Sequence, residues 1–329
     1  MKNITLILII LVVASCKKTA DETKTTEEVA TENAADNPPT LSNDYKLSLA
    51  QWAYHVPIQN GIMDPMDFAE KAKELGFSGI EYVDQLYTID STLTYQDAVM
   101  KLAKQWEVKN KAFEVEPVLI MIDRAGELAD PSEEKRKEAI QKHKYWVDAA
   151  AAIGAPSLRI NLFGLTEPKA WHEACVASLK DLCAYAAEKN VSILTENHAQ
   201  LSNDASKVVA IMKEVNMPNC KTLPDFGNFC VMREGGERWG PAPCIEEYDP
   251  YKGIEELMPF AGGVSAKSHG FDENGDEIEI DYYRMMQIVK DSGFKGYVGV
   301  EYENDDEEDP TAGILATKEL VIKALNAAK

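Results

Sequence analysis

From residue 46 onward the chain alternates short, nearly continuous apolar runs with longer segments whose apolar positions recur every three to four residues. Continuous apolar runs suit strands buried on both faces, and the longer period suits helices packed against them. The runs predict strands over 46–52, 78–83, 113–122, 157–162, 191–196, 220–225, 262–267 and 297–301. Helix signals fall between them. Asp64 is placed as a cap, Pro65 suits a first turn, Phe68, Ala69, Ala72 and Leu75 share a face, and Gly76 is a stop. Asp130-Pro131 opens a second helix, with Ala139, Val147, Ala150 and Ile153 on one face and Gly154 at its end. Asp281 opens a third that stops at Gly293. The stretch GFSGIEY (76–82) is echoed by GFKGYVGVEY (293–302), each after a helix end, as expected of one βα unit used repeatedly. Eight such units in about 280 residues fit a single closed (β/α)8 barrel, the TIM-barrel form of the α/β class. An open doubly wound sheet is the rival. It usually carries a Gly-rich phosphate turn, and neither GxGxxG nor GxxxxGK[ST] occurs.

The N-terminus departs from this pattern. Met1-Lys2 precedes an apolar run over 4–13 and then Ala14-Ser15-Cys16, too short to span a membrane and built like a secretory signal. Val-Ala-Ser-Cys resembles a bacterial lipobox, which implies a signal peptide over 1–15, cleavage before Cys16 and lipidation of its thiol. A plain signal peptide is the alternative. Residues 16–43 are rich in Thr, Glu, Ala and Asn with almost no large apolar group, so they are expected to form a flexible, disordered tether. The catalytic barrel then occupies 44–329. From these features the protein is expected at the bacterial cell envelope, lipid-anchored and facing the periplasm, with its membrane contact through the N-terminal lipid anchor. Net charge is −21, which argues against nucleic acid or an anionic surface as partner, because phosphate binding needs clustered Lys and Arg. Of the cysteines after Cys16, Cys230 and Cys244 are a possible disulfide pair, and Cys175 and Cys183 read as small core residues. Homo-oligomers are compatible with this composition.

In such barrels, polar residues at the C-terminal strand ends face the active site. Here those ends present Trp52 and His55, Glu81, Asp123, Arg159 and Asn161, Glu196-Asn197-His198, Asp225 and Asn228, Lys267 and His269, and Glu301 and Glu303. Converging carboxylates repel one another unless a cation sits between them. Oxygen ligands plus one histidine suit a single divalent ion, Mn, Mg, Co or Zn, in an open site.

The stretches ILTENH (193–198), LPDFGNF (223–229), SAKSHGFDENG (265–275) and GYVGVEYE (296–303) resemble the sugar phosphate isomerase/epimerase family, the xylose-isomerase-like barrels. Their order and strand positions carry the resemblance across nearly all of the chain after residue 46. It implies one divalent metal held by a Glu after strand five, an Asp after strand six, a His after strand seven and a Glu after strand eight. These fall on Glu196, Asp225, His269 and Glu301. Many members read His-x-Lys-Asp/Glu at strand seven, where this chain has Ser265-Ala266-Lys267-Ser268, so His269 comes later than the pattern expects.

The resemblance further implies proton abstraction beside a carbonyl, with Glu196 and Glu301 as base and acid on a small-molecule sugar. An isomerase or epimerase of a non-phosphorylated ketose or keto-sugar is the primary expectation, since a periplasmic protein rarely meets sugar phosphates. A lyase or dehydratase acting on a keto-sugar such as a 3-keto glycoside is the second, and a non-catalytic saccharide-binding lipoprotein the third. Trp52, His55, Glu81, Arg159, Asn161, His198 and Lys267 are the expected substrate contacts. Arg159 could equally pair with Glu196, and Lys267 could equally neutralise the carboxylates. His198 is also open to a role in positioning, and His143 and His172 read as structural or exposed.

Overall fold

The computed structural model describes residues 41, 43–304 and 306–329. The expected signal peptide, Cys16 and nearly all of the 16–43 tether lie outside the described residues.

Strands and helices alternate along the chain. The strands are β1 (Tyr45–Ala50), β2 (Gly79–Val83), β3 (Glu116–Met121), β4 (Ser157–Ile160), β5 (Ser192–Glu196), β6 (Cys220–Leu223), β7 (Cys230–Arg233), β8 (Cys244–Glu247), β9 (Val264–Ser268) and β10 (Gly296–Tyr302). The helices are α1 (His55–Gln59), α2 (Phe68–Glu74), α3 (Tyr95–Phe113), α4 (Glu133–Ile153), α5 (Pro168–Ala187), α6 (Ala205–Val215), α7 (Pro250–Leu257), α8 (Tyr282–Asp291) and α9 (Thr311–Ala327). Eight strands pair in parallel in the order β6-β5-β4-β3-β2-β1-β10-β9. The remaining gap, between β6 and β9, is bridged at Thr222–Ala261 and Asp225–Ser265. There the Ser265 N–H donates to the Pro224 carbonyl and the Phe226 N–H to that of Ser265. Pro224 has no N–H to offer a ladder, which is why β6 stops at Leu223 and closure rests on isolated bridges. The fold is thus a TIM barrel whose seam lies at the strand ends carrying Asp225 and Ser265.

Local chemistry accounts for the boundaries. Asp281 caps α8 by accepting from the Arg284 N–H, as expected. Two expectations shift. Ser132, not Asp130, caps α4, while Asp130, two residues earlier, accepts from the Ser132 N–H. Phe113 ends α3 rather than starting a strand, because Glu114 takes a left-handed conformation (φ 53°) that stops the helix, and β3 begins at Glu116. Helices α3 and α4 pack on the barrel through a buried aromatic column. Tyr82 of β2 stacks on Trp106 with centroids 4.3 Å apart, and Trp106 on Trp146 at 5.9 Å. Each of these rings is fully buried, contributing roughly 1.5–3 kcal/mol or more of transfer free energy.

Between β6 and β9 lies one element absent from the expected pattern. β7 and β8 form an antiparallel hairpin on their own, closed by the Cys230–Cys244 disulfide. Cys175, Cys183 and Cys220 are buried free thiols.

Candidate active site

The three carboxylates expected from strands five, six and eight converge. Ligand oxygens of Glu196, Asp225 and Glu301 all lie within 4.8 Å of one another, and all three side chains are buried. Glu196 and Glu301 sit at the C-terminal ends of β5 and β10, where alternation turns them into the barrel, and Asp225 follows β6 by two residues, bridged to Ser265. Asp225 is fixed further by its own turn, its Oδ1 accepting from the Gly227 and Asn228 N–H groups at 2.9 Å.

His269, expected as the fourth ligand, stands outside this group. It lies one residue beyond β9, its Nδ1 3.0 Å from the Glu303 carbonyl and its backbone N–H on Glu277. The inward position between Asp225 and Glu301 belongs to Ser265, whose Oγ is 2.7 Å from a carboxylate oxygen of each. A hydroxyl has one proton to donate, so both contacts are satisfied only when one of the carboxylates is itself protonated. Burial, together with the charges of Asp225 and Glu303, raises the Glu301 pKa against the lowering effect of Lys267, which favours a proton on Glu301. Burial likewise raises Glu196, opposed by Arg159 and reinforced by Asp225 and Glu301.

Lys267 lies among these acids rather than on the cavity wall. Its Nζ is 2.8 Å from Glu303, 3.8 Å from Glu301 and 4.0 Å from Asp225. Burial disfavours its charge, but the surrounding carboxylates outweigh that and hold its pKa well above the usual range. Burial works against the Glu303 carboxylate as well. Lys267 and the Trp52 indole N–H, 2.7 Å away, nevertheless bring it down to about 2.

On the opposite side, Arg159 joins two strand ends. Its guanidinium contacts Asp123 at 2.5 Å and Glu196 at 2.7 Å, the pairing with Glu196 that alternated with a substrate role in the sequence. The contact with Glu196 lacks hydrogen-bond alignment, so Glu196 Oε2 and Arg159 Nε are both buried without a hydrogen-bond partner. Glu81 is buried deeper, accepting from the Ser48 hydroxyl at 2.5 Å, and burial pushes its pKa up to about 7. It fits because β10 carries Gly299 opposite, where a Cβ would come within 2.5 Å of the Glu81 carboxylate.

The chemistry of the donors fits a divalent cation. Three carboxylates face one another, one of them, Glu196, has a buried oxygen without a hydrogen bond, and among the described residues buried acids outnumber the buried cations Arg159 and Lys267. Such a charge imbalance in a low-dielectric site is relieved by a bound cation or by protonation.

A cavity of about 400 Å³ opens above this cluster and reaches Glu301, Glu303, Arg159 and Trp52. Asn161 and His198 are on its wall; His55, Glu81 and Lys267 are not. His55 is buried behind Trp52, stacked on it with centroids 4.4 Å apart. Hydrogen bonding sets the His198 tautomer. Asn161 Nδ2 donates to Asp123, so Asn161 Oδ1 must accept the 2.8 Å contact from His198 Nδ1, leaving His198 Nε2 as an acceptor. Burial and the nearby Arg159 charge hold the His198 pKa down, to about 3, so the ring stays neutral. Its neighbour Asn197 is structural: its amide donates to the Asp225 and Asn228 carbonyls and accepts from the Asp225 N–H. The following turn is strained, with Ala199 at φ 129° and Gln200 at φ 51°.

His143, read as structural or exposed, is buried in α4 with its ring on the Ala139 carbonyl, and it borders the cavity. His172 is on the surface, paired with Glu214. Burial lowers the His143 pKa to about 4. An unfolded histidine titrates near 6.5, so between these values the unfolded chain binds a proton that the folded one refuses. Stability is therefore lost as pH falls from about 6.5 towards 4, by up to roughly 3 kcal/mol. Urea midpoints of a His143→Gln variant should fall less steeply between pH 7 and pH 5 than those of the unsubstituted protein. Parallel slopes would rule out His143 as the source.

Fold and site together define a TIM barrel with a buried carboxylate cluster at its C-terminal mouth. The chain belongs to the xylose isomerase-like TIM barrel family, whose model matches residues 69–324. It is similar to the L-ribulose-5-phosphate 3-epimerase UlaE of Shigella flexneri serotype 5b (strain 8401), at 22% identity over 254 residues, covering 74% of this chain and 84% of that protein. Its fold is shared with the 3-keto-D-glucoside 4-epimerase YcjR from E. coli, with a TM-score of 0.58, 14% identity, and coverage of 84% of this chain and 98% of that one. It is shared also with the IOLI protein solved with a bound zinc atom, with a TM-score of 0.61, 14% identity, and coverage of 86% and 99%.

Proposed function

We propose that the protein is a divalent-metal-dependent isomerase or epimerase of a non-phosphorylated ketose or keto-sugar. The observation that carries this reading is the buried Glu196–Asp225–Glu301 cluster at the floor of a cavity that Glu301 borders. The epimerases among the similar proteins support the reaction class, and the zinc-bearing relative supports the metal. The all-oxygen donor set favours Mg or Mn over a softer ion.

Glu196, Asp225 and Glu301 would hold the cation, and when bound it would polarise the substrate carbonyl and lower the pKa of the adjacent C–H. One of the two glutamates removes that proton, and the C–H electron pair moves into the carbonyl to give an enediolate. The other glutamate, entering the cycle in its protonated form, returns a proton to the opposite face or the neighbouring carbon. Lys267 keeps positive charge beside Glu301 throughout, and neutral His198 accepts a hydrogen bond from a sugar hydroxyl. Among the cavity's charged groups, Asp123, Glu127, Glu301 and Glu303 outnumber Arg159 and Arg238, and both arginines are already paired. A phosphate dianion would meet repulsion there, which favours an uncharged sugar. Lipidation at Cys16 and a periplasmic location are part of the same proposal and agree with it.

The test is proton exchange. Purified protein supplied with Mg, Mn, Co or Zn is incubated in D2O with a panel of free ketoses and 3-keto glycosides. Deuterium at the carbon next to the carbonyl and a new epimer or isomer of unchanged carbon skeleton are expected by NMR. Loss of one water in the product mass would instead identify a dehydratase. No exchange with any substrate or metal would reduce the protein to a saccharide binder.

A further inference from the structure

The β7–β8 hairpin has no part in the chemistry described above, yet its tip forms one wall of the cavity. Arg238 and Trp239 border the cavity with Phe163 and Glu127. The tip is tied to three separate loops of the barrel. Arg238 donates to Glu127 at 2.8 Å, following β3, and its Nε is 3.4 Å from Gln200, following β5. Its guanidinium lies 4.2 Å from the centroid of Phe163, following β4. Trp239 packs on His198 and Phe163 at centroid distances of 4.8 and 5.9 Å. Even so, Trp239 remains 47% exposed, the most open tryptophan among the described residues that border the cavity. The disulfide closes the base of the hairpin, so the tip is held at both ends.

An indole fixed in this way at a cavity mouth, with carboxylate and guanidinium groups beside it, matches a particular ligand surface. A pyranose ring has an apolar C–H face ringed by hydroxyls. Stacking that face on Trp239 would bury apolar area on both partners and leave the hydroxyls for Glu127, Arg238 and Asp123. The reacting sugar lies at the floor, against Glu301, and Trp239 meets that floor only through His198, whose Nδ1 is 3.9 Å from Glu196 and whose ring Trp239 packs on, so a unit stacked on Trp239 is a second one. We infer that the hairpin tip is a binding subsite for the second sugar unit of a glycoside, and that the protein acts on a disaccharide-sized, uncharged saccharide rather than a lone monosaccharide. This inference rests on the sugar-processing reading but not on its chemistry.

Binding without turnover therefore tests it. Titration calorimetry is run with glucose, maltose, cellobiose and sucrose on the intact protein and on Trp239→Ala and Trp239→Phe variants. Trp239 is exposed enough for both variants to fold, which thermal unfolding verifies. At least one disaccharide should bind the unsubstituted protein roughly tenfold more tightly than glucose does, the effect of one aromatic contact of about 1.4 kcal/mol. Trp239→Ala should erase that increment and leave glucose binding unchanged, and Trp239→Phe should keep most of it. An equal preference in the Trp239→Ala variant, or no preference and no binding in the unsubstituted protein, overturns the subsite. The D2O exchange experiment reports on the reaction separately, so a binder with a working subsite and an enzyme without one give different pairs of results.

Discussion

Glu301→Gln should reduce α-proton exchange by roughly 10²–10⁴-fold, the range for loss of a general acid–base group, while leaving thermal stability unchanged or slightly raised. The two outcomes come from one cause. Glu301 is a buried acid crowded by Asp225 and Glu303, and its pKa is already pushed up by burial and by those charges. Removing its charge therefore relieves repulsion, and the amide keeps the shape that Ser265 and Lys267 pack against. A carboxamide cannot carry the proton. Glu196→Gln should lose activity comparably and likewise keep its stability, because burial raises the Glu196 pKa too and Arg159 retains Asp123 as a close charged partner. NMR exchange rates and melting curves on the two variants check both outcomes. Exchange within tenfold of the unsubstituted rate in Glu301→Gln would remove Glu301 as a proton carrier.

Arg159→Met should cost roughly 3–5 kcal/mol of stability at neutral pH, the usual penalty for leaving buried charge uncompensated. Arg159 is 4% exposed and is the cation between Asp123 and Glu196. Burial raises the Asp123 pKa, but Arg159 and the Asn161 amide outweigh it and hold the group below the usual value. A depressed carboxylate contributes stability above its unfolded pKa near 3.9, and that contribution is lost as pH falls through its folded value. Without Arg159 the sign reverses: burial alone raises Asp123, and the variant loses stability as pH rises above about 4. The gap between the two proteins should thus be largest near neutrality and narrow towards pH 4, as read by urea unfolding at several pH values. Asp123→Asn added to Arg159→Met should recover part of the loss. A gap independent of pH would mean that Arg159 matters for packing rather than charge.

Both predictions concern residues at strand ends, and strand ends were the legible part of the chain. In SILTENH the apolar alternation of 192–195 and the acid that follows are local facts, and they place Glu196 inside a barrel mouth without any structure. The same reasoning reaches Asp225 and Glu301. It does not reach Ser265, because a serine in an apolar run looks like filler. Its importance appears only when the seam between β6 and β9 sets it opposite Asp225. Nor does it settle Lys267, since a long side chain at a strand end can turn to substrate or to its acidic neighbours. The neutral tautomer of His198 follows from a relay through Asn161 to Asp123, three residues on three different strand ends.

What the amino-acid sequence determined by itself was the repeating βα pattern, the barrel it builds, and which acidic residues end the strands. These depend on period, capping and turn chemistry within a few residues. The tertiary structure alone decided which side chains meet. It put a serine rather than a histidine between two carboxylates, set Lys267 among the acids, and folded a disulfide-closed hairpin back so that Trp239 faces His198. Those outcomes depend on how the barrel closes and where distant loops return, and contacts between residues far apart in the chain leave no periodic trace in it.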